Sequence, residues 1–458
     1  MSVTAIILAA GEGTRMKSNH AKVSHKILGK PMINWVVDAA LAGGCDEVVV
    51  VVGSHAEEVI QLVAGTDHVR CVNQAERLGT GHAVKIALEA ANINEGPVVI
   101  LNGDLPLIEA STISKFAASV TDGYAAAVLT MTPPNVDGYG RIEFNARGDV
   151  ARIIEQKDCT DRQAQMLRDC NAGCYAFDGA QLAAHIGELS CENAQNEYYL
   201  TDMIEIMRNA GERVTAFRCE DYQEGLGVNS RVQLAQLSAI ARDKVNERHM
   251  ASGVTMIDPT TVYIGPEVTI ERDTIILPQT MLWGKTSIGE GCIVGPNTRL
   301  TDTYVGSFSV LDETVAIEAT IDNHVSCGPR AYLRPNTHLC DGSKAGTHVE
   351  IKNSTIGEGS KVPHLSYIGD TQMGCGVNVG AGSITCNYDG VNKHSTTIGD
   401  HTFIGSDTMM VAPVTIGQNA VTGAGGTITS DVPDGALALE RCQQINIEGY
   451  TQKKASKH

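Results

Sequence analysis

The sequence is short of aromatic residues, with 6 Phe and 2 Trp in 458 positions. Any core it builds must therefore be filled by small aliphatic side chains. It has no run of 18 apolar residues, and Met1 leads almost directly into the strand-like TAIILAA. Neither membrane insertion nor a secretory leader is expected, and a cytoplasmic location is. The 13 cysteines are odd in number and form no CxxC pair; Cys170 and Cys174 are the closest. Free thiols in a reducing compartment are expected rather than a disulfide framework. Positive charge is scarce as well: 35 Lys and Arg against 53 Asp and Glu leave a net charge of −18. No nucleic-acid partner is expected, since phosphate backbones select basic surfaces. Anionic small-molecule substrates would need a few cations gathered in pockets.

What is present divides the chain. The length suits two domains, and the 47 glycines cluster in the second half. In the first half VTAIILAA, EVVVVVG and PVVILNGD read as buried strands, alternating with helical stretches such as PMINWVVDAALAGG and EEVIQLVAG. This alternation predicts a Rossmann-like α/β domain with a mostly parallel sheet and helices on both faces. Ligands bind such sheets at the carboxyl ends of the strands. The Gly-rich turns at 9–15 and 102–104 fall there. Residues 228–250 carry Val232, Leu234, Leu237, Ile240 and Val245 among charged neighbours, predicting one amphipathic connecting helix.

Beyond it the period changes to six. Ile264, Ile270, Ile276, Leu282, Ile288, Val294 and Leu300 recur without a miss. Val305, Leu311 and Ile317 follow, then Ile321, Cys327, Leu333, Leu339, Ala345 and Ile351, and further hits run to Ile428. Six residues fit neither a helix nor an alternating strand, but they fit a parallel β-helix in which each hexapeptide supplies one short strand and one corner. CNYDGVNKHSTT breaks the rhythm between Thr385 and Ile398 and is predicted to leave the coil as a loop.

LAAGEGTRMKS, at the end of the first strand, offers small residues (Ala9, Ala10, Gly11, Gly13) that let backbone N–H groups approach a nucleotide, followed by the cations Arg15 and Lys22. A dinucleotide fingerprint would need Gly where Met16 stands, and the only GKT, Gly284–Thr286, has Gln279 where a Walker A loop needs its first Gly. Both readings fail on letters. Asp104, in LNGDLPL at a strand end, has the placing of a carboxylate that holds Mg²⁺ beside phosphates, although a turn Asp reads the same way locally. QAERLGTGHA offers an amide and a Gly-rich turn suited to a base edge.

LAAGEGTRMKS, AKVSHKILGKPM, QAERLGTGHA, NGDLPL, GYGRI, EQKD, EYYLTD and GVNSR occur in the order found in sugar-1-phosphate nucleotidyltransferases. With the hexapeptide repeats following, the chain resembles, from Val3 to about Gly449, the family of bifunctional N-acetylglucosamine-1-phosphate uridylyltransferases/glucosamine-1-phosphate N-acetyltransferases. The resemblance implies that Arg15 and Lys22 are catalytic cations acting on the UTP triphosphate. Gln74, Gly79 and Thr80 would hold uracil. Leu8, Ala9, Ala10, Gly11, Gly13, Asn102 and Gly103 would border the nucleotide, and Gly140, Glu155 and Asn171 would contact the sugar. Asp104 and Asn229 would hold Mg²⁺. Ala21, Asn102 and Ala172 depart from the family pattern.

In the β-helix, Arg334 and Lys352 are cations in a region otherwise poor in them and suit a sugar phosphate. His364, near a hexapeptide turn, suits a general base. Tyr367 and Asn378 lie further along. Histidines for a zinc site do not converge within one chain, which leaves only an inter-chain site open: His324 and His348 stand four hexapeptides apart, and His338 and His364 occupy other positions. The resemblance assigns His364 as the base that takes the proton of the glucosamine amine. It assigns Arg334, Lys352, Tyr367 and Asn378 to glucosamine-1-phosphate, with Glu350 in support, and Ala381, Asn387, Tyr388, Ser406, Ala424 and Arg441 to acetyl-CoA. Pro363 and Cys442 depart from the pattern. It also implies a left-handed coil and a homotrimer. The expected organisation is a nucleotidyltransferase domain at 1–227, a linker helix at 228–252, a left-handed β-helix acetyltransferase domain at 253–437 and a tail at 438–458. A single-function sugar nucleotidyltransferase with a structural β-helix is the rival, and the polar set from His364 to Arg441 counts against it. A non-catalytic scaffold of the same two domains would be expected to lose Arg15, Lys22, Asp104 and Asn229.

Overall fold

In a computed structural model, which describes residues 2–121, 123–193, 195–440 and 443–455, the chain divides into two compact units, Met1–Ala241 and Arg242–His458. The boundary falls inside the helix Arg231–Ala251. Leu237, Ala241, Val245 and His249 are buried along that helix at four-residue spacing, and Val232 is exposed.

The first unit is built on one mixed sheet. Its main path runs Val214–Arg218, Ala126–Met131, Cys170–Asp178, Pro97–Asn102, Thr4–Ala9, Glu47–Val52, Val69–Asn73. All pairs along it are parallel except those of Cys170–Asp178, which is antiparallel to both neighbours. Side-chain alternation explains the layering. Ala5, Ile7, Val48, Val50 and Val52 enter a core with Ile33, Val36, Val37, Ala40, Ile113 and Phe116 from two helices. Ile6, Val49 and Val51 enter the opposite core with Ala83, Val84, Ala87, Leu88, Met203 and Met207. In both cores the helices contribute residues three and four apart, as one apolar stripe must. The register Ala9↔Val52 and Leu8↔Asn102 brings three strand ends to one sheet edge.

The second unit is a left-handed parallel β-helix of three sheets with 11, 10 and 9 short strands. Each coil takes about three hexapeptides, so Ile264 pairs with Leu282, Ile270 with Ile288 and Ile276 with Val294. The aliphatics of the six-residue rhythm are buried inside, with one difference. On the strand Val315–Ile317 it is Ala316 that points inward, in register with Leu300 and Leu333, and Ile317 is half-buried. Small hydroxyl residues two positions before the inward aliphatic are buried as well, and they satisfy backbone groups of adjacent coils. Thr274 Oγ1 donates to Gly289 O at 2.8 Å and accepts from Cys292 N at 3.1 Å; Ser360 Oγ donates to Gly374 O at 2.7 Å. Asn246, on the helix, donates to Pro259 O and Val262 O and ties it to the first coil.

Candidate functional site

The strand ends of the first unit open into a cavity of about 1000 Å³. Leu8, Ala9, Ala10, Gly11, Gly13, Arg15, Lys22, Gln74, Gly79, Thr80, Asn102, Asp104, Gly140, Glu155, Asn171 and Asn229 all line it. Gly103 does not; it is buried behind the wall, its N–H bonded to Leu8 O at 3.0 Å. Two glycines are dictated by backbone shape. Gly13 has φ 62°, and a β-carbon there would meet Lys22 Cβ at 2.7 Å; Gly79 has φ 104°, and a β-carbon would meet Tyr198 O at 2.6 Å.

The cations and oxygens predicted from the sequence form one cluster. Lys22 Nζ lies 2.5 Å from Asp104 Oδ2 and 3.2 Å from Asn229 Oδ1, and Arg15 Nη2 donates to the same Asn229 oxygen at 2.9 Å. Asn229 is steadied by Gln233, which accepts its backbone N–H at 2.8 Å, and the Val228 N–H bonds Asp104 O at 3.0 Å. Asp104 and Asn229 thus present hard oxygens on either side of one ammonium. That donor set fits a divalent cation that keeps waters and shares phosphate oxygens. Elsewhere in the cavity, Gln74 Nε2 donates to Gly79 O at 3.0 Å and Thr80 Oγ1 accepts the Leu200 N–H at 3.0 Å, so the base-edge turn is braced. Sequence reasoning did not single out Glu12 and Arg77, which are ion-paired at this cavity.

In the second unit Arg334, Lys352, Asn353, Asp370 and Lys393 line a pocket of about 370 Å³. Arg334 Nη1 donates to Glu350 Oε1 at 2.9 Å, and this bond is the first cause holding the guanidinium pKa above its ordinary value. Lys352 Nζ lies 3.8 Å from Asp370 Oδ2. The Lys352 pKa is pushed below the ordinary lysine range, first by hydrogen bonding with the Lys393 amine and then by desolvation, with Asp370 opposing. Burial is the largest influence on the Asp370 carboxyl and works to raise it. Hydrogen bonds from Asn353 at 2.6 Å and Asn387 at 2.5 Å, with Lys352 and Lys393, outweigh burial and hold it low. Asn387 also reaches Tyr367 Oη at 3.5 Å. The predicted loop therefore folds back on the pocket: Lys393 joins its lining, and Asn387 bonds the lining residue Asp370. Asp370 and Lys393 were missed by sequence reasoning; the break in the six-residue rhythm was the available signal for Lys393.

His364 is exposed and ends the strand Lys361–His364, at the corner before Tyr367. Register places it in a column. Lys361 pairs with Asn378, Val379 with Ile404 and Phe403 with Val421, so His364, Ala381, Ser406 and Ala424 occupy the same corner of four successive coils. Asp407 N–H bonds Ala381 O at 2.7 Å and Gly425 N–H bonds Ser406 O at 2.8 Å along this edge. With coils about 4.8 Å apart, Ala424 stands ~14 Å along the edge from His364. Asn378 starts a strand of the 11-stranded sheet, whereas Lys352 and Tyr367 belong to the 10-stranded sheet. Tyr388 is exposed, on the loop. Arg441 and Cys442 lie outside the described residues.

Two family models match the chain: the MobA-like NTP transferase domain over residues 5–170 and the bacterial transferase hexapeptide (six repeats) over 395–430. Sheet, cavity and coil thus define a nucleotidyltransferase joined to a hexapeptide-repeat transferase. Similarity extends to whole chains. The sequence is 47% identical to the bifunctional protein GlmU of Caldanaerobacter subterraneus over 99% of each chain. It is 48% identical to that of Streptomyces avermitilis over 98% of this chain and 94% of the relative, and 44% identical to that of Brevibacillus brevis over 99% and 98%. The chain belongs to the GlmU family of bifunctional enzymes, and it is both a nucleotidyltransferase and an acyltransferase.

Proposed function

We propose that each unit carries one of two successive transfers. The enzyme makes UDP-N-acetylglucosamine: it N-acetylates glucosamine-1-phosphate from acetyl-CoA, then joins the product to the uridylyl group of UTP with release of pyrophosphate. The observation that carries the division of labour is the gathering of cations in two separate pockets of a chain with net charge −18.

In the first pocket the sugar phosphate oxygen attacks the α-phosphorus of UTP, and a P–O bond forms as the bond to pyrophosphate breaks. Arg15 and Lys22 offset the charge that develops on the departing phosphates, and Gln74 with the Gly79–Thr80 turn fixes the uracil end. Asp104 and Asn229 would hold Mg²⁺, which would supply charge neutralisation on phosphate oxygens. Positioning and electrostatics account for the chemistry, with no covalent enzyme intermediate.

In the second pocket Arg334, Lys352 and Tyr367 seat glucosamine-1-phosphate, with Asn378 completing its contacts, and Glu350 and Asp370 hold the two cations in place. The amine attacks the thioester carbon of acetyl-CoA. His364 accepts the amine proton as the C–N bond forms, the C–S bond breaks, and the imidazolium returns that proton to the departing sulfur so that CoA leaves as the thiol. Acetyl-CoA lies along the corner of Ala381, Ser406 and Ala424, with Asn387, Tyr388 and Arg441 as further contacts. Outward positions of the 11-stranded sheet carry exposed Ile293 and Val310 toward one end and exposed Phe403, Val421 and Leu437 toward the other, with Ser326, Lys344, Lys361 and Asn378 between them, and these two apolar patches suit association into a homotrimer. Light scattering checks that: a monomer that retains full acetylation would contradict it. Among the described residues no helix is long and apolar enough to cross a membrane, which accords with a cytoplasmic place for substrates of this kind. The test of the assignment is Lys22→Ala beside Lys352→Ala. With N-acetylglucosamine-1-phosphate supplied for the uridylyl assay, the first should stop pyrophosphate release and spare CoA release, and the second the reverse.

A further inference from the structure

We propose that Asp322, His338 and Cys340 form a binding site for one borderline divalent metal ion of the zinc class, on the nine-stranded sheet of the β-helix. This is a different sheet from the one that carries Lys352 and Tyr367. The three residues are 16 to 18 positions apart or two apart in sequence, and coil stacking brings them together. Thr320 pairs with His338 and Ile321 with Leu339, so Asp322 lies beside Cys340 on the next coil. His338 and Cys340 flank the buried Leu339 and therefore point to the same outer face.

Their ligand atoms all lie within 4.8 Å of one another. His338 Nε2 is 2.8 Å from Asp322 Oδ2 and 4.0 Å from Cys340 Sγ. Zinc bonds of about 2.0–2.3 Å to N, O and S place tetrahedral ligands roughly 3.3–3.7 Å apart. Side-chain rotation alone closes that difference. The backbone beneath is fixed by the ladder, with Cys340 N–H bonded to Ile356 O at 3.0 Å and Asp322 N–H to Leu339 O at 2.8 Å. Asp322 and His338 are half-buried, their side chains 30% and 41% exposed, so an ion reaches them directly from solvent.

The donor set decides the metal. One imidazole, one thiol and one carboxylate suit zinc and disfavour magnesium, which demands oxygens. An ion pair between Asp322 and His338 accounts for two members but leaves Cys340 without a role. Three protein ligands leave the fourth position to water. An ion held this way would clip two successive coils together.

The test titrates the metal-free full-length chain with Co²⁺ in excess Mg²⁺, so that the oxygen site at Asp104 and Asn229 is saturated. The expected result is a thiolate-to-cobalt charge-transfer band that saturates at one Co²⁺ per chain and is abolished by one equivalent of Zn²⁺. Cys340→Ser should lose the band, His338→Gln should weaken Co²⁺ binding, and Cys375→Ser should retain the band. Uridylyl and acetyl rates of the folded variants should stay within about twofold of the parent, as coil-stacking clips outside both pockets require. Absence of the band in the parent chain, its persistence in Cys340→Ser, or its loss in Cys375→Ser would each overturn the site.

Discussion

Asp104→Asn separates the two transfers most economically, because it changes one atom of a wall residue and keeps its volume. The Lys22–Asp104 pair is largely shielded, with side chains 18% and 12% exposed and 2.5 Å between charged atoms. At an effective dielectric of about 20 its Coulomb attraction alone would reach ~7 kcal/mol, but the desolvation of both ions and the open cavity offset most of it. The folded protein should therefore lose no more than about 1–3 kcal/mol of stability, read as a lowered unfolding midpoint. Activity should fall much further. The anionic oxygen proposed for the metal would be gone, and a metal ion in such a reaction is worth several kcal/mol, so uridylyl transfer should drop by about 10²–10⁴-fold. Lys22, released from its partner, remains available to the triphosphate, so the loss should appear in kcat rather than in the KM for UTP. The assay follows pyrophosphate release with N-acetylglucosamine-1-phosphate and UTP supplied, beside CoA thiol release from the same preparation. A uridylyl rate within tenfold of the parent, or an equal fall in both reactions of the folded variant, would refute the reasoning.

Other outcomes follow from the same geometry. An amine must shed a proton as it attacks a thioester, so His364→Ala should slow acetyl transfer by about 10²–10⁴-fold and leave uridylyl transfer unchanged; a few-fold effect in folded protein would remove His364 as the base. The phosphate role proposed for Lys352 needs a protonated amine, and the Lys352 pKa lies below the ordinary lysine value. The KM for glucosamine-1-phosphate should therefore rise as pH climbs through that lowered value, and Asp370→Asn, which removes the opposing attraction, should start the rise at lower pH. A pH profile that Asp370→Asn leaves unmoved would contradict this. A chain ending near residue 227 lacks Asn229 and should be impaired in uridylyl transfer. One ending near 250 should keep it, and one starting near 228 should keep acetyl transfer; inactivity of both longer pieces would place the boundary elsewhere.

Much of this was legible in the letters because each inward position of the coil must be apolar and recurs every six residues. The rhythm named Leu300 and Leu333 correctly and missed Ala316 between them, since the larger Ile317 stands next to it and bulk alone does not say which way a side chain points. The parallel sheet followed from alternating strands and helices. The reversal of Cys170–Asp178 did not, because a buried strand reads alike in either direction. Arg15, Lys22, Asp104 and Asn229 could be named from motifs, but the meeting of Arg15 and Lys22 at one Asn229 oxygen depends on contacts 214 and 207 residues apart in sequence. Comparing histidines with histidines hid the Asp322–His338–Cys340 cluster, whose members meet only through coil stacking and differ in type. The break in the rhythm marked the exposed loop that carries Lys393, but not which residue of that loop faces Lys352.

The central claim is that one chain holds two independent sites, only one of which needs a divalent cation. The direct measurement supplies the full-length protein with glucosamine-1-phosphate, acetyl-CoA, UTP and Mg²⁺, follows free CoA thiol and pyrophosphate together, and then adds a chelator. Both products should form before the addition; afterwards pyrophosphate release should stop while CoA release continues at its former rate. Loss of both signals together, or persistence of both, would contradict the account.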